Sequence, residues 1–203
     1  GNDTVILRGG VGGGSTFHGN IDLGNSDVPT GANERNVLTL GQGSFLDGSV
    51  TGGLNDDFID VGVDARIDGA ILLGNGDNLV ETSDGSMLMG DITGGSGIDL
   101  INLRDGSTTT GDINLFGGSD SITIEIGATL NGNIDLGDDA DVVTLESGAI
   151  LTGDILLGDG DDNLFLEDGA AYTGNVEAGA GSDRVVLRGT SGGGSTFTGT
   201  VIL

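Results

Sequence analysis

The sequence predicts an all-β right-handed parallel β-helix, that is, a β-solenoid with three short strands per 21-residue coil and about nine coils. Three observations predict it: a 21-residue repeat that closes on glycine, apolar residues two places apart within each repeat, and 43 glycines among 203 residues. Apolar residues spaced by two are typical of strands with one buried face. Glycine this frequent disfavours helices, because each one costs about 1 kcal/mol there.

The repeat is clearest in the middle of the chain. Its six units run 49–69, 70–90, 91–111, 112–132, 133–153 and 154–174. Ile113, Ile134 and Ile155 each hold the second place of their unit. One coil cannot bury its own inward face, but stacked coils can, because equivalent residues then form continuous apolar columns. The repeat therefore predicts that residues 21 apart lie directly above one another.

A longer period is superimposed on the 21-residue repeat. Residues 1–23 align without gaps with residues 181–203, an offset of 180 residues. Two longer coils, 20–48 and 175–199, complete this period. We therefore expect a single solenoid, divided as follows: 1–19 end one superrepeat, 20–199 form a complete eight-coil superrepeat, and 200–203 start the next. The added residues, 25–35 and 190–196, are predicted to be loops on its wall.

The composition limits the functions that the chain can perform. Six basic residues against 32 acidic ones give a formal charge of −26, which repels nucleic acid and anionic membranes. No apolar run reaches 18 residues, so no membrane insertion is expected. Cysteine is absent, and the single histidine, His18, is replaced by Thr198 one superrepeat later. We expect no enzymatic activity, since no Ser–His–Asp or Cys–His set can be assembled.

The first turn of each coil follows a pattern close to G-x-G-x-D. Candidate metal ligands from these turns are Asp3, Asp57, Asp99, Asp120, Asp139, Asp141, Asp161, Asp162 and Asp183, while Asn36 and Asn78 take the aspartate place in two coils. Stacking would put the aspartates in a column about 4.8 Å apart. At an effective dielectric near 20, unit charges at that spacing repel by roughly 3 kcal/mol. Either the carboxylates turn into solvent or cations lie between them, and hard oxygen ligands favour Ca²⁺. The alternative is that each aspartate only caps its turn by accepting backbone N–H groups.

A second column of acidic and amide residues follows the closing glycine of each coil. Its members are Asn20, Asp91, Asp112, Asn133, Asp154 and Asn175. We interpret them as turn residues or as a side-chain ladder between coils, and not as metal ligands.

Two resemblances to known families follow from these turns and coils. The segments GAGSDRVVL (179–187) and GSGIDLINL (95–103) resemble the glycine-rich nonapeptide GGxGxDxUx of repeats-in-toxin proteins. In that family such turns bind Ca²⁺ through aspartate carboxylates and backbone carbonyls. The 21-residue period offers one motif per coil and so implies at most one Ca²⁺ column. Full coils such as TGDILLGDGDDNLFLEDGA (152–170) resemble the passenger regions of bacterial autotransporters and giant surface adhesins.

These resemblances lead to an expected function and location. We expect the structural shaft of a long extracellular fibre or bacterial cell-surface protein, which self-associates end to end or laterally and carries Ca²⁺. The alternative is an adhesin whose loops 25–35 and 190–196 contact a receptor, a glycan or a neighbouring fibre. Ice binding would need regular threonine columns, and from the sequence only Thr108-Thr109-Thr110 suggests one.

Overall fold

The fold is a three-sided parallel β-solenoid. The computed structural model describes residues 2–10, 13–24, 35–190 and 193–203. Within these residues the chain forms three nine-stranded sheets and one two-stranded sheet. In each large sheet, every strand pairs with the strands of the preceding and following coils, so the chain passes through all three sheets once per coil.

The strands are short in all three sheets. Sheet A contains Thr4–Leu7, Arg35–Leu40, Asp56–Val61, Asn78–Thr82, Asp99–Leu103, Ser121–Ile124, Val142–Leu145, Asn163–Leu166 and Arg184–Leu187. Sheet B contains Thr16–His18, Phe45–Asp47, Arg66–Ile67, Met87–Leu88, Thr108–Thr110, Thr129–Asn131, Ile150–Thr152, Ala171–Thr173 and Thr196–Thr198. Sheet C contains Ile21–Asp22, Val50–Gly53, Ile71–Gly74, Ile92–Thr93, Ile113–Asn114, Ile134–Asp135, Ile155–Leu156, Val176–Glu177 and Val201–Ile202. The two-stranded antiparallel sheet joins Gly189–Thr190 to Gly193–Gly194.

The register of the sheets confirms the predicted coil length. Ile134 pairs with Ile113 on one side and with Ile155 on the other, so residues 21 apart are vertical neighbours. The offset lengthens at the two predicted places, because Phe17 pairs with Leu46 and Tyr172 pairs with Phe197. The predicted three-strand parallel solenoid is therefore confirmed.

The interior is built from stacked columns of aliphatic side chains. Each sheet turns one face inward, and alternate residues of its strands are buried, as in the pattern BeBiB of Asp99–Leu103. Sheet A contributes Ile101 and Leu103 and their equivalents, sheet B contributes Leu130, and sheet C contributes Ile113. These columns join in one continuous hydrophobic core. Stacking of the coils therefore buries the aliphatic inner face that a single coil would leave exposed to solvent.

The first predicted insertion lies almost wholly outside the described residues, and the second lies only partly outside them. Residues 25–34, which connect sheet C to sheet A, are not described, and neither are residues 191–192 within the second insertion. The described part of that insertion includes Ser195, whose hydroxyl donates a 2.9 Å hydrogen bond to the Arg188 carbonyl oxygen. Ser15 makes the equivalent 2.7 Å bond to Arg8 one superrepeat earlier, so these two segments share a local structure.

Candidate metal site

Seven polar side chains form a buried column along one corner of the solenoid. This inner column consists of Asn36, Asp57, Asn78, Asp99, Asp120, Asp141 and Asp162, each at most 1 % exposed. Each stands at or just before the start of a sheet A strand, two places before a buried aliphatic residue. Because side chains alternate across a strand, Asp99 points to the same side as Ile101 and Leu103. The carboxylates thus face the interior and not solvent.

One oxygen of each carboxylate in the C-terminal part of the inner column is bound by the preceding coil. The backbone N–H of Asp99 donates to Asp120 Oδ1 at 2.8 Å, and that of Asp120 donates to Asp141 Oδ1 at 2.6 Å. The same contact joins Asp141 to Asp162 at 2.8 Å and Asp162 to Asp183 at 3.1 Å. The aspartates therefore do accept backbone N–H groups, but these groups belong to the neighbouring coil.

The two asparagines change this pattern in the N-terminal part of the inner column. Asn36 Nδ2 donates to Asp57 Oδ1, and Asn78 Nδ2 donates to Asp99 Oδ1, both at 2.8 Å. Asp57 in turn donates its backbone N–H to Asn78 Oδ1 at 2.8 Å. The amides thus take part in the ladder while adding no charge to it.

The second carboxylate oxygen has no hydrogen-bond partner in any of the five buried aspartates. The Oδ2 atoms of Asp57, Asp99, Asp120, Asp141 and Asp162 are all buried and unpaired. Leaving a buried charged oxygen without a partner costs more than leaving a neutral one, because the charge loses its hydration. Such an oxygen needs either a proton or a cation.

Burial raises the pKa of every aspartate in the inner column. Loss of hydration raises the pKa of Asp57 and Asp99 to about 6, although the Asn36 and Asn78 amides lower it in part. The pKa of Asp120 and Asp141 rises to about 7, because burial is reinforced by the negative charges of neighbouring aspartates. Burial likewise raises the pKa of Asp162. Protons and cations would therefore compete for these carboxylates near neutral pH.

The remaining candidate residues lie at the ends of the inner column or outside it. Asp183 is half-buried and accepts the Asp162 N–H, while Asp3 is exposed and donates its backbone N–H to Asn36 Oδ1 at 3.0 Å. Asp139 and Asp161 are exposed in the turns. The charge of Asp139 raises the pKa of both Asp120 and Asp141, so it lies near the inner column without belonging to it.

The inner column suits a hard cation only with help from the backbone. Within the described residues, no group of three or more His, Cys, Asp or Glu side chains is placed to hold a metal ion. Five coils each offer one buried, unpaired carboxylate oxygen beside the backbone of a turn. Ca²⁺ accepts such mixed carboxylate and carbonyl oxygen sets. Asp120, Asp141 and Asp162 would hold the ion through Oδ2, and the ion would supply the missing positive charge.

The second column forms the predicted side-chain ladder at the surface. Asp91 Oδ1 accepts the Asp112 N–H at 2.9 Å, Asp112 Oδ1 accepts the Asn133 N–H at 2.7 Å, and Asn133 Oδ1 accepts the Asp154 N–H at 2.8 Å. Asn175 continues the ladder to Thr200. These side chains are exposed, except that Asp112 is half-buried, and each accepts a backbone N–H, which confirms the interpretation as a structural ladder.

An uncharged surface covers the outer face of sheet B over five coils. This threonine face consists of Thr108, Thr110, Thr129, Asn131, Ile150, Thr152, Ala171, Thr173, Thr196 and Thr198. Its residues form two vertical columns of paired strand positions. None is ionisable, in a chain whose net charge is −26. The sequence alone points only to Thr108-Thr109-Thr110, of which Thr109 is buried and outside this face. The two columns appear only when strands 21 or 25 residues apart are aligned.

The few basic residues are used in local ion pairs and ring contacts. Arg66 pairs with Asp68, and Arg188 contacts Glu167 at 3.1 Å. Arg35 lies over the Phe58 ring at 4.6 Å from its centre. His18 Nδ1 lies 2.9 Å from Asp47 Oδ2 on the exposed end of sheet B. The arginines therefore balance charge locally, as expected.

The comparisons with known proteins bear on the fold. The described part of the chain contains no helix long and apolar enough to span a membrane. No protein-family model matches the chain, and no curated protein matches it significantly. A solved structure, a hyperactive, Ca²⁺-dependent, beta-helical antifreeze protein from an Antarctic bacterium, matches with a TM-score of 0.59 and 18 % identity. The match covers 97 % of this chain and 57 % of that protein. It supports the parallel β-helix.

Proposed function

We propose that this chain is a rigid, non-catalytic shaft segment of an extracellular bacterial repeat protein, stabilised by Ca²⁺ in the inner column. The observation that carries the proposal is the set of five buried Oδ2 atoms without a partner. A column of buried carboxylates is stable at neutral pH only when positive charge or protons neutralise it. Ions held by Asp120, Asp141 and Asp162 would do so there while joining successive coils.

Calcium is the cation that the chemistry of the inner column favours. Carboxylate and carbonyl oxygens are hard ligands, and the flexible coordination number of Ca²⁺ tolerates ligands from adjacent turns. Extracellular calcium modules work at about 10⁻⁴–10⁻³ M, which suits weak sites built largely from backbone. The structurally similar antifreeze protein is described as Ca²⁺-dependent.

The mechanical part of the proposal rests on the continuous ladders. Backbone hydrogen bonds, aliphatic columns and the inner column run through the described coils, and the surface ladder runs from Asp91 to Thr200. Such a stack resists bending because each coil is held on all three sides. The acidic surface keeps parallel fibres apart, so self-association end to end is favoured over lateral contact. The resemblance of the coils to those of bacterial surface adhesins supports a location at the bacterial cell surface.

The test is thermal unfolding followed by circular dichroism in chelator and in excess Ca²⁺. One site at 100 times its Kd contributes about 2.7 kcal/mol, and 1 kcal/mol moves Tm by about 2–4 °C in a domain of this size. We therefore expect Ca²⁺ to raise Tm by about 5 °C or more, and the same concentration of Mg²⁺ to raise Tm less. Identical melting curves in chelator and Ca²⁺ would remove the calcium part of the proposal.

A second candidate function is ice binding by the threonine face. It is favoured by the arrangement of hydroxyl, amide and methyl groups in two regular, uncharged columns. Side chains on this face are spaced about 4.8 Å apart from strand to strand and about 6.6 Å apart along each strand. This regular spacing could order water molecules in a repeating lattice. The structurally similar protein is an antifreeze protein.

Partition into slowly growing ice tests this second candidate. The chain should enrich in the ice, and Thr152→Asp with Thr173→Asp should abolish enrichment because the charges hold their own hydration. Asn102→Asp with Thr144→Asp, on the outer face of sheet A, is the matched control and should leave enrichment unchanged. Exclusion of the unaltered chain from ice would eliminate this candidate.

A further inference from the structure

The inner column contains two kinds of carboxylate, which differ in the groups around them. Asp57 and Asp99 each receive a side-chain amide from the preceding coil. The backbone N–H of Gly53 lies close enough to lower the pKa of Asp57, and that of Gly95 does the same for Asp99. Both carboxyls therefore lie near more N–H groups than the other three, although their Oδ2 atoms have no hydrogen-bond partner.

The glycines before these two aspartates make room for them. A Cβ on Gly52 would lie 2.0 Å from Asp57 Oδ2, and one on Gly94 would lie 2.0 Å from Asp99 Oδ2. The carboxyl thus leans into the place of an inward side chain on sheet C. In the later coils that place is filled by fully buried leucines, namely Leu115, Leu136 and Leu157.

Asp120, Asp141 and Asp162 lack these additional N–H groups. The only group that lowers the pKa of each is one backbone N–H from the preceding coil. Their neighbours in the inner column are aspartates on both sides, whose charges raise the pKa. Their Oδ2 atoms, like those of Asp57 and Asp99, are buried and unpaired.

The turns that enclose these three aspartates also form a regular stack of their own. Gly117, Asp138, Asp159 and Ala180 are joined in sequence by parallel bridges. Phe116 and Asp139 adopt positive φ values of 69° and 80°. A non-glycine residue in this region costs roughly 1–2 kcal/mol, so other contacts must hold the turn in this shape.

We infer that cation binding is confined to the turns 116–119, 137–140 and 158–161, which enclose Asp120, Asp141 and Asp162. In the turns that enclose Asp57 and Asp99, the additional amide and backbone N–H groups offset part of the carboxylate charge, so that no ion is bound there. The inference rests on the proposed function, since it divides the inner column into a cation-dependent part and a self-sufficient part. Exposed Asp138, Asp139, Asp159 and Asp161 place two negative charges in each of the turns 137–140 and 158–161, whereas the turn 53–56 holds only Asp56 and the turn 95–98 holds none.

The test compares Ca²⁺ stoichiometry, measured by calorimetric titration, in Asp141→Asn and in Asp57→Asn. Asparagine stands in the inner column at 36 and 78, so both variants are expected to fold, as circular dichroism will check. Asp141→Asn should bind at least one ion fewer than the unaltered chain, and Asp57→Asn should bind the same number. Equal losses in the two variants would overturn the inference and leave the proposed function standing. No binding by the unaltered chain would instead defeat the proposed function.

Hydrogen exchange in chelator supplies a readout that does not depend on ion counting. Amides of Ser121–Ile124, Val142–Leu145 and Asn163–Leu166 should lose protection when Ca²⁺ is removed, by about tenfold or more. Amides of Asp56–Val61 and Asn78–Thr82 should keep their protection. A uniform loss along sheet A would contradict the division of the inner column.

Discussion

At the scale of single residues, the closing glycine of each coil is required by contact between backbones. A Cβ on Gly132 would lie 1.9 Å from the carbonyl oxygen of Gly111, and one on Gly153 would lie 2.1 Å from that of Gly132. Real Cβ atoms do not approach backbone oxygen so closely, and here neither backbone can withdraw without breaking its ladder. Glycine therefore recurs at this corner because any side chain would separate successive coils.

Alanine substitution tests this close approach. Gly132→Ala should destabilise the protein by about 2 kcal/mol or more, in line with overpacking of a dense interior, as measured by denaturant unfolding. Gly117→Ala is the matched control, because its Cβ would meet only Asp138 Cβ at 3.9 Å. The control should change stability by no more than about 0.5 kcal/mol. Equal effects would show that the corner relaxes more freely than the structure indicates.

Asp64 occupies a turn position that elsewhere belongs to glycine. Its φ is 55°, and the equivalent residues Gly85, Gly106 and Gly127 have φ values of 70°, 68° and 74°. Asp64→Gly should stabilise the protein by about 1 kcal/mol, because the side chain is strained in this region. Thermal unfolding measures the gain, and Asp64→Ala should show none because alanine keeps the Cβ.

At the scale of structural elements, the inner column makes sheet A sensitive to protons and cations. The folded-state pKa values of Asp57 and Asp99, about 6, and of Asp120 and Asp141, about 7, lie above the ordinary aspartate value. A group whose pKa is raised by folding stabilises the fold below its unfolded pKa and loses that contribution as pH rises through the folded value. Without cations, the strands of sheet A are therefore held best in mildly acidic solution.

The pH dependence follows with a definite sign. In chelator, Tm should be highest near pH 4, the ordinary aspartate pKa, and should fall between about pH 4 and 7, since each pKa unit corresponds to about 1.4 kcal/mol. Excess Ca²⁺ should remove most of this fall, because the ion then replaces the protons. Asp120→Asn with Asp141→Asn should also flatten the curve in chelator. A Tm that rises with pH in chelator would contradict the burial of these carboxylates.

At the scale of the whole molecule, each coil contacts only its neighbours. Every strand of the three large sheets pairs with the coil before it and the coil after it, except at the two ends. Stability in such arrays is close to a sum of coil and interface contributions. The central coils are therefore supported from both sides, while the terminal coils are supported from one.

Two isoleucines of the same sheet C column test this gradient. Ile134→Ala in the centre removes a side chain buried between Ile113 and Ile155 and should cost about 2–5 kcal/mol. Ile21→Ala, in the first coil, should cost less in global unfolding, because that coil can open while the others remain folded. Hydrogen exchange of amides in the central strands of sheet A measures the loss of global stability in each variant. Equal effects would indicate a single all-or-none unit.

The fold was predictable because the solenoid rule is local and repeated. Apolar residues equivalent to Ile101, Leu103 and Leu130 recur every 21 residues. Once the strands are assumed to stack, this recurrence fixes the register in which they pair. The sequence also predicts that the Asp99 side chain points inward, because Asp99 lies two residues before Ile101 on the same strand and so on the same face. We expected instead that the carboxylates would face solvent or cations, because a buried charge contradicts the usual preference for exposure.

The sequence by itself determined the coil length, the aliphatic columns, the closing glycines and the residues of the inner column. Only the tertiary structure decided which oxygen of each aspartate is bonded, and that Asn36 and Asn78 donate into the column. It also decided that the absence of a side chain at Gly52 and Gly94 leaves room for the carboxyl groups of Asp57 and Asp99, and that a threonine face forms on sheet B. The physical reason is that hydrogen-bond direction and side-chain clearance depend on contacts between coils, which a linear pattern of residue types does not contain.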